Sequence, residues 1–413
     1  MAHSQTNFEV TIEKLIYGGD GLARLDGQVV FVPLVLPGER VTVEAVEQKP
    51  GIVRSRVTEV REASTDRVNP ECPYFGRCGG CHYQHAGYET QLALKRTILA
   101  ETLRRVGKFE PPAEIGVVAS EPWHYRNRVQ LHIRGTELGY LEARSNRFCS
   151  IDRCPISSPR INQAIVSLRE MLRDARWPRF VQSIELFTNE KQLQLNVIQT
   201  ERPVARRFFD WCKETMPDVV SGALEYEAAG SVYRVSGGSF FQVNRFAIER
   251  MVEIAMEDAQ GESALDLYGG VGLFSLPLAR RFGKVTAVES GAGALRDLIF
   301  NAERAGVAVQ THQASVDEFL MSLTAAPDFV LADPPRAGLG KSVVRELARL
   351  QPPRVTVVAC DPATLARDLA GLLAAGYNIE KLTMIDLFPQ TFHIEAIVHL
   401  KRGDGADLRV SGL

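Results

Sequence analysis

The segment ALDLYGGVGLFS, residues 264–275, decides the fold of the chain. An apolar run ends at Asp266 and is followed by a helical pattern, FSLPLARRF. The turn between them contains Gly269, Gly270 and Gly272. A strand, a glycine turn and the start of a helix bring backbone N–H groups close to a cofactor in α/β proteins, and glycine leaves room for that approach. The spacing departs from G-x-G-x-x-G, so the turn alone indicates an α/β sheet with a tight loop.

Three later segments rich in β-branched residues also end in polar or reactive side chains. KVTAVES reaches Glu289, DFVLADPPRAG contains Asp333, and RVTVVAC ends at Cys360. An acidic residue placed as Glu289 is, about twenty residues beyond the glycine turn, can accept hydrogen bonds from both ribose hydroxyls of a nucleoside cofactor. Because open α/β sheets bind ligands at the carboxyl ends of their strands, these segments predict one binding site.

The composition limits the classes of protein that the chain can represent. A length of 413 residues predicts two or three domains, and 45% apolar with 24% charged residues is typical of globular proteins. No apolar run has the length that a bilayer requires, and MAHSQTNFEV lacks the apolar core of a signal peptide. We expect a soluble, cytoplasmic protein with no membrane partner. The net charge of −2 means that any nucleic-acid surface must be a local patch.

The N-terminal region, residues 7–60, has the pattern of a small all-β unit. FEVTIEKL, QVVFVPLV and ERVTVEAVEQ alternate apolar and polar residues, and the turns YGGDG and LPGE separate them. This pattern predicts an OB-like barrel, a fold that often binds single-stranded RNA. A barrel that merely packs against the rest of the chain remains the alternative.

Four of the seven cysteines indicate a metal site. CPYFGRCGGC supplies Cys72, Cys78 and Cys81, and three thiolates leave a tetrahedral site one ligand short. We predict Cys154 as the fourth ligand, because proline follows it as it follows Cys72, with Cys149 as the reserve. Thiolate-only ligation suits an iron–sulfur cluster or a structural zinc, and the residues do not separate the two.

The central region is predicted to be α/β, with helices near 90–108 and 160–175. Between residues 126 and 160 there are seven Arg and Lys against three acidic residues. That excess could neutralise RNA phosphates, or it could be a solvated face. GGSFFQVNRF then leads into the C-terminal domain, and Gln242 there is either a cofactor ligand or a surface amide.

The C-terminal site suits S-adenosylmethionine better than a nicotinamide cofactor, since no dinucleotide fingerprint is evident. Arg336 stands where amino-methyltransferases usually have an aromatic residue, which disfavours that reaction. Cys360 lies at a strand end before Asp361-Pro362, where a helix N-terminus could lower its pKa. Glu395, within FHIEAIVHL, is a carboxylate in an apolar strand. With Cys360 as nucleophile and Glu395 as base, the pair could support methylation of uracil C5. The alternatives are that Cys360 is a buried structural thiol and that Glu395 is an edge-facing charge.

In these motifs the chain resembles the iron–sulfur RNA uridine C5-methyltransferases, which make 5-methyluridine in bacterial 23S rRNA and have relatives that act on tRNA. The resemblance covers nearly the whole chain: CPYFGRCGGCHYQH, DRCPI, GSFFQVN, DLYGGVG, DPPRAG, ACDPATLARDL and FHIEAIV occur in order, after a TRAM-type barrel. It implies a [4Fe-4S] cluster on Cys72, Cys78, Cys81 and Cys154. It also implies S-adenosylmethionine at Gln242, Tyr268, Gly269, Glu289 and Asp333, with Cys360 as nucleophile and Glu395 as base.

We therefore expect an α/β enzyme of three parts. These are a TRAM-type β-barrel that binds RNA (1–62), a central α/β domain with the cysteines (63–240) and a Rossmann-like class I methyltransferase domain (241–413). The expected substrate is RNA, with 23S rRNA favoured over tRNA, and the expected state is a monomer. The family usually has Ser-Cys-Asn-Pro where this chain has ACDP, and the charge of Asp361 is expected to oppose thiolate formation. An RNA-binding assembly factor without activity is the alternative.

Overall fold

The structure, a computed structural model, describes residues 7–220 and 222–403. Most of the segment MAHSQTNFEV, from which we inferred that a signal peptide is absent, therefore lies outside the described residues. Within the described ranges no helix is both long enough and apolar enough to cross a bilayer.

The N-terminal unit is a six-stranded sheet, as the alternating pattern predicts. Its strands are β1 (Asn7–Thr11), β2 (Lys14–Leu15), β3 (Asp20–Leu25), β4 (Gln28–Pro33), β5 (Arg40–Lys49) and β6 (Ile52–Glu62). They lie in the order β1-β5-β6-β4-β3-β2, and one face carries a core of mostly valine side chains. Alternation places these valines on a single face, because successive side chains of a strand point to opposite sides.

The central domain is built on a second six-stranded sheet, in the order β10-β9-β8-β11-β12-β13. The elements of the central region are α1 (Tyr88–Thr102), a π-helical turn (Leu103–Gly107), β7 (Gly116–Val118), β8 (Arg128–Arg134), β9 (Glu137–Leu141), β10 (Phe148–Ser150), α2 (Pro159–Met171), β11 (Val181–Thr188), β12 (Leu193–Thr200), α3 (Arg206–Thr215) and β13 (Val219–Val220). Helix α2 begins where Ser158 accepts a hydrogen bond from the backbone N–H of Ile161, with Pro159 in the first turn.

The C-terminal domain follows a two-stranded hairpin and contains the largest sheet. Its elements, with the hairpin first, are β14 (Leu224–Ala228), β15 (Ser231–Val235), α4 (Ile248–Ala255), β16 (Ser263–Leu267), α5 (Ser275–Ala279), β17 (Lys284–Val288), α6 (Ala292–Ala305), β18 (Gln310–His312), α7 (Val316–Ser322), β19 (Phe329–Ala332), α8 (Gly340–Leu350), β20 (Arg354–Ala359), α9 (Pro362–Ala374), β21 (Tyr377–Ile385) and β22 (Glu395–Arg402). The sheet order is β18-β17-β16-β19-β20-β22-β21-β7. Strands β16 to β18 extend one way and β19 to β20 the other, so the direction of winding reverses between β16 and β19. Ligands of open α/β sheets bind at such a point.

One part of the predicted central domain belongs physically to the C-terminal sheet. Strand β7 pairs in parallel with β21, and Leu92, Ile98 and Leu99 of α1 lie in the same apolar core as the C-terminal strands. Within the predicted domain 63–240, α1 and β7 therefore pack with the C-terminal sheet. Strand pairing across more than 260 residues leaves no local pattern in the sequence, which is why the prediction missed it.

Candidate active site

All seven residues that the sequence predicts for the cofactor and for catalysis line one cavity of about 970 Å³. The cavity lies at the carboxyl ends of the parallel strands, beside the reversal between β16 and β19. Its predicted members are Gln242, Tyr268, Gly269, Glu289, Asp333, Cys360 and Glu395. The elements that carry them come from the loop before α4 and from five strands of the same sheet, so the fold brings them together across more than 150 residues.

The glycine turn after β16 forms one wall of the cavity. Tyr268 has a φ of 65°, Gly270 a φ of 55° and Gly272 a φ of 96°, so the backbone enters the left-handed region three times. A Cβ on Gly272 would also stand 2.9 Å from Leu276 Cδ1, which excludes a larger residue there. The turn presents the N–H of Gly270 to the carboxylate of Glu289, at 2.9 Å. Glu289 therefore holds the loop after β16 to the end of β17.

Two buried carboxyl groups lie beneath this wall. Burial raises the pKa of Asp266 to about 7, with a further rise from Glu289, while the hydroxyl of Ser275 donates to Asp266 and opposes the shift. Burial, with Asp266 as the second cause, raises the pKa of Asp333 to about 7. The side-chain amide of Gln242 donates to Asp333 at 3.3 Å. Asp333 lines the cavity together with Glu289 and Glu395, so its floor is acidic and suits a cationic ligand.

Cys360 directly follows β20 and Glu395 begins β22, and these two strands are adjacent and antiparallel, so both residues lie at the same edge of the sheet. Ala359 of β20 is opposite Ala396 of β22, so the register places Cys360 opposite Glu395. Burial raises the pKa of the Cys360 thiol to about 12, and the carboxyl groups of Glu395 and Asp333 raise it further. The expected lowering by the helix N-terminus is wrong for this protein, because burial and two carboxyl groups outweigh it. Burial also raises the pKa of Glu395 well above its usual value.

Asp361 has a structural role in addition to the electrostatic one that the sequence predicts. Its carboxylate accepts hydrogen bonds from the backbone N–H groups of Ala363 and Thr364, both at 2.9 Å, and so caps the N-terminus of α9. Pro362 occupies the first turn, as expected at a helix start. The carboxyl groups that raise the pKa of Cys360 most are Glu395 and Asp333. Asp361 therefore caps α9, and its effect on thiolate formation stays a prediction.

Three cationic or titratable residues of the cavity were missed as site residues. Arg126 and His393 line it, and so does Arg336, to which we had assigned no role in the site. The guanidinium of Arg336 lies 3.5 Å from Nε2 of His393 and partly offsets the pKa rise of Cys360. Burial, followed by the charge of Arg336, lowers the pKa of His393 to about 3, so this imidazole is neutral at pH 7. HYRNRV, which contains Arg126, and FHIE, which contains His393, are the sequence segments from which these two residues could have been predicted.

The loop that precedes Glu395 is held by a buried ion pair. Lys95 of α1 donates to Asp386 at 2.7 Å and to the carbonyl of Phe388 at 2.9 Å, and both charged side chains are 1% exposed. Gln91 adds hydrogen bonds to the side chain and the backbone N–H of Gln390. Helix α1 thus holds the loop that leads to Glu395 at the start of β22.

We expect Lys95→Ala to destabilise the protein by about 3–5 kcal/mol, because it leaves a buried carboxylate without its partner. Lys14→Ala is the matched control, since the Lys14–Glu101 pair has side chains that are 37% and 32% exposed. The control substitution should lower the free energy of unfolding by less than about 1 kcal/mol. Urea unfolding measures both free energies, and equal losses would contradict a special role for the buried pair.

The predicted metal ligands Cys72, Cys78, Cys81 and Cys154 line a second cavity, of about 410 Å³. Burial raises the pKa of the Cys72, Cys78 and Cys81 thiols, with Cys154 adding to each shift. Cys149, the reserve, is fully buried in β10. Across 7–220 and 222–403, no three His, Cys, Asp or Glu side chains are grouped closely enough to hold a metal ion as they stand. The donor set is thus thiol-only and shares one cavity, but it is not a formed metal site.

The two cavities share a wall. Arg126, Arg336 and His393 line both of them, so the cysteine segment lies next to the cavity that contains Cys360 and Glu395. The backbone N–H groups of His82 and Tyr83, just after Cys81, also donate to the carbonyl of Gln390, at 2.8 and 3.0 Å. The loop before Glu395 is thus fixed by the cysteine segment as well as by α1.

This sheet order, the glycine turn and the acidic residue at the end of β17 define a Rossmann-like class I methyltransferase domain, here joined to an N-terminal β-barrel. Residues 174–403 match the family described as tRNA (Uracil-5-)-methyltransferase, and residues 6–58 match the TRAM domain. The chain belongs to this family of RNA (uracil-5-)-methyltransferases, which confirms the predicted fold class and the resemblance.

Relatives and a solved structure match almost the full chain. The 23S rRNA (uracil(1939)-C(5))-methyltransferase RlmD of Halomonas elongata is 33% identical, over 98% of this chain and 92% of its own length. An uncharacterized RNA methyltransferase of Aquifex aeolicus is 31% identical, over 96% and 99%. The crystal structure of Pyrococcus abyssi tRNA (uracil-54, C5)-methyltransferase with S-adenosyl-L-homocysteine superposes with a TM-score of 0.77 at 27% identity, over 95% and 99%.

Proposed function

We propose that the chain methylates C5 of a uridine in RNA, with S-adenosylmethionine as donor and 23S rRNA as the favoured substrate. The observation that carries the proposal is the placement of Cys360 opposite Glu395 in the cavity that also contains Glu289 and Asp333. The RlmD relatives, which are named as 23S rRNA enzymes, favour ribosomal RNA over tRNA. Modification of ribosomal RNA also agrees with a cytoplasmic monomer, which we propose as the working state.

The residues of the cavity fit S-adenosylmethionine. Glu289 can accept hydrogen bonds from the ribose hydroxyls, and the backbone of Gly269 and Gly270 lines the same cavity. Asp333 and Gln242 form a polar pair at the opposite side of the turn. When bound, the cofactor supplies the methyl group and a positive sulfonium charge. That charge complements the acidic floor and would lower the raised pKa values of the nearby carboxyl groups.

The chemistry of the residues follows from uracil, whose C5 is too weak a nucleophile to accept a methyl group unaided. The Cys360 thiolate adds to C6, which makes C5 an enolate-like carbon that can be methylated. Glu395 then removes the C5 proton, and the electron pair left behind expels the thiolate from C6. Because burial favours the neutral thiol of Cys360, the thiolate forms with release of its proton to solvent as the reaction begins, and the Arg336 guanidinium is the cation that favours it.

The direct test is methyl transfer to unmodified 23S rRNA and to unmodified tRNA, followed by nucleoside mass spectrometry. We expect 5-methyluridine in 23S rRNA and none in tRNA. A product in tRNA alone would reassign the substrate, in line with the name of the Pyrococcus abyssi neighbour. If neither RNA gained a methyl group and calorimetry detected no cofactor binding, the assembly-factor alternative would replace the enzyme.

We also propose that Cys72, Cys78, Cys81 and Cys154 hold a [4Fe-4S] cluster. The shared cavity, the thiol-only donor set and the mutual electrostatic effect of the thiols support it. The proposed methyl transfer needs no electron, so the cluster's contribution would be structural. It would fix the segment whose backbone binds Gln390.

We expect Cys81→Ser to lose the cluster, while Cys212→Ser, at a buried core thiol of α3, keeps it. Iron and acid-labile sulfide are measured in anaerobically purified protein, together with the visible absorption band. One zinc per chain in place of iron would contradict the proposal and favour a structural zinc site. Loss of iron in Cys149→Ser but not in Cys154→Ser would identify Cys149, and not Cys154, as the fourth ligand.

A further inference from the structure

A tyrosine of the N-terminal barrel reaches the catalytic turn. Tyr17 lies between β2 and β3 and is 343 residues away from Cys360 in the sequence. Its hydroxyl nevertheless donates to the backbone carbonyl of Cys360, at 3.4 Å. Burial raises the pKa of Tyr17, and the neighbouring Asp361 carboxylate raises it further, so the phenol is protonated and available as a donor. The contact falls at the junction between β20 and the capped N-terminus of α9.

The ring of Tyr17 is also held in place, by packing against another aromatic ring. It packs edge-on against Phe392, with ring centroids 5.4 Å apart, and Phe392 in turn contacts His82 of the cysteine segment at 4.6 Å. Phe392 is three residues before Glu395. Tyr17 thus contacts the nucleophile turn through its hydroxyl and the loop before the base through its ring. A single side chain of the barrel joins the two halves of the reaction centre.

Two ion pairs hold the barrel in this position. Lys14 pairs with Glu101 of α1 at 2.6 Å, and Asp20 pairs with Arg144 of the central domain at 2.6 Å. Both lie within three residues of Tyr17 along the chain, on either side of it. Leu15 is buried in the same apolar core as the C-terminal strands. The position of Tyr17 relative to Cys360 is therefore set by fixed contacts of the barrel rather than by a free loop.

We propose that Tyr17 is a positioning residue of the methyl-transfer reaction, and that the barrel completes the catalytic centre in addition to any contact with RNA. The inference rests on the proposed function, because it assigns Tyr17 to the orientation of Cys360 as nucleophile. The hydroxyl holds the Cys360–Asp361 turn so that the thiol faces the cavity. Without it the turn keeps its helix cap but loses the hydrogen bond from the Tyr17 hydroxyl.

The test compares Tyr17→Phe with Tyr377→Phe. Tyr377 is a matched control, because its hydroxyl also donates to a backbone carbonyl, that of Pro352 at 2.8 Å, at the far end of β21. Two properties are measured: methyl transfer to RNA, resolved into kcat and KM, and alkylation of Cys360 by iodoacetamide without RNA, followed by peptide mass spectrometry. Thermal unfolding verifies that both variants are folded.

For Tyr17→Phe we expect kcat to fall about tenfold with KM for RNA nearly unchanged, since a small displacement of a nucleophile is costly. Alkylation of Cys360 should become about threefold faster, because the turn opens more often. Tyr377→Phe should alter neither. A rise in KM alone would make Tyr17 an RNA contact, and wild-type values of both properties would overturn the inference. If the wild-type protein methylates no RNA, the proposed function fails, whereas the alkylation rates still decide the role of Tyr17.

Discussion

Cys360→Ala is expected to abolish methyl transfer, with a loss of at least about 10⁴-fold, as for other enzymes that lose a covalent nucleophile. Without thiolate addition at C6, C5 of uracil does not become nucleophilic, and among the described residues no other thiol lines the cavity. Cofactor binding should survive within about threefold, because Glu289 and Gln242 lie on other strands and loops and the lost group is small. Nucleoside mass spectrometry measures the turnover and calorimetry measures the binding.

Cys212→Ala is the matched control for that substitution. It removes a thiol of the same size that is fully buried in the core of the central domain, far from the cavity. The control should retain turnover, which separates the loss of the nucleophile from the loss of a buried sulfur atom. Methylation by Cys360→Ala at a rate comparable with the control would rule out the covalent mechanism and would leave Cys360 as a structural thiol.

The local part of the site could be predicted because each of its members follows a short apolar strand. Glu289, Asp333 and Cys360 are all recognisable in this way, and parallel strands bring their carboxyl ends to one edge. The confirmed fold class follows from the same pattern. The residue that follows a strand can be identified from the local sequence, so predicting these site residues required no knowledge of long-range contacts.

The parts that escaped prediction depend on contacts between distant segments. Tyr17 reaches Cys360, and β7 pairs with β21, across several hundred residues of intervening chain. The raised pKa of Cys360 was not predicted from the sequence for a related reason. Proximity to a helix N-terminus can be read from the sequence, whereas burial and the facing Glu395 depend on packing. The capping role of Asp361 also escaped prediction, because a charge is evident from the sequence but its hydrogen-bond partners are not.

Glu395→Gln is expected to arrest the reaction after methylation and to accumulate a covalent protein–RNA adduct. The amide has nearly the shape of the carboxyl group, and burial already raises the pKa of Glu395, so the exchange should leave the fold intact. An amide cannot accept the C5 proton, however, and the thiolate cannot leave C6 until that proton is lost. Turnover should fall by at least about 10²-fold, the usual contribution of a general base.

The adduct is measured as an RNA-dependent band of reduced mobility in a denaturing gel, and digestion with mass spectrometry should locate the linkage at Cys360. Two variants serve as controls. Cys360→Ala combined with Glu395→Gln should form no adduct, because the nucleophile is missing. Glu346→Gln should turn over normally, since Glu346 of α8 is also largely buried but pairs with Arg349 away from the cavity. If Glu395→Gln lost turnover without trapping RNA, Glu395 would act before the covalent step, and the base that removes the C5 proton would have to be sought among the other carboxyl groups of the cavity, with Asp333 first.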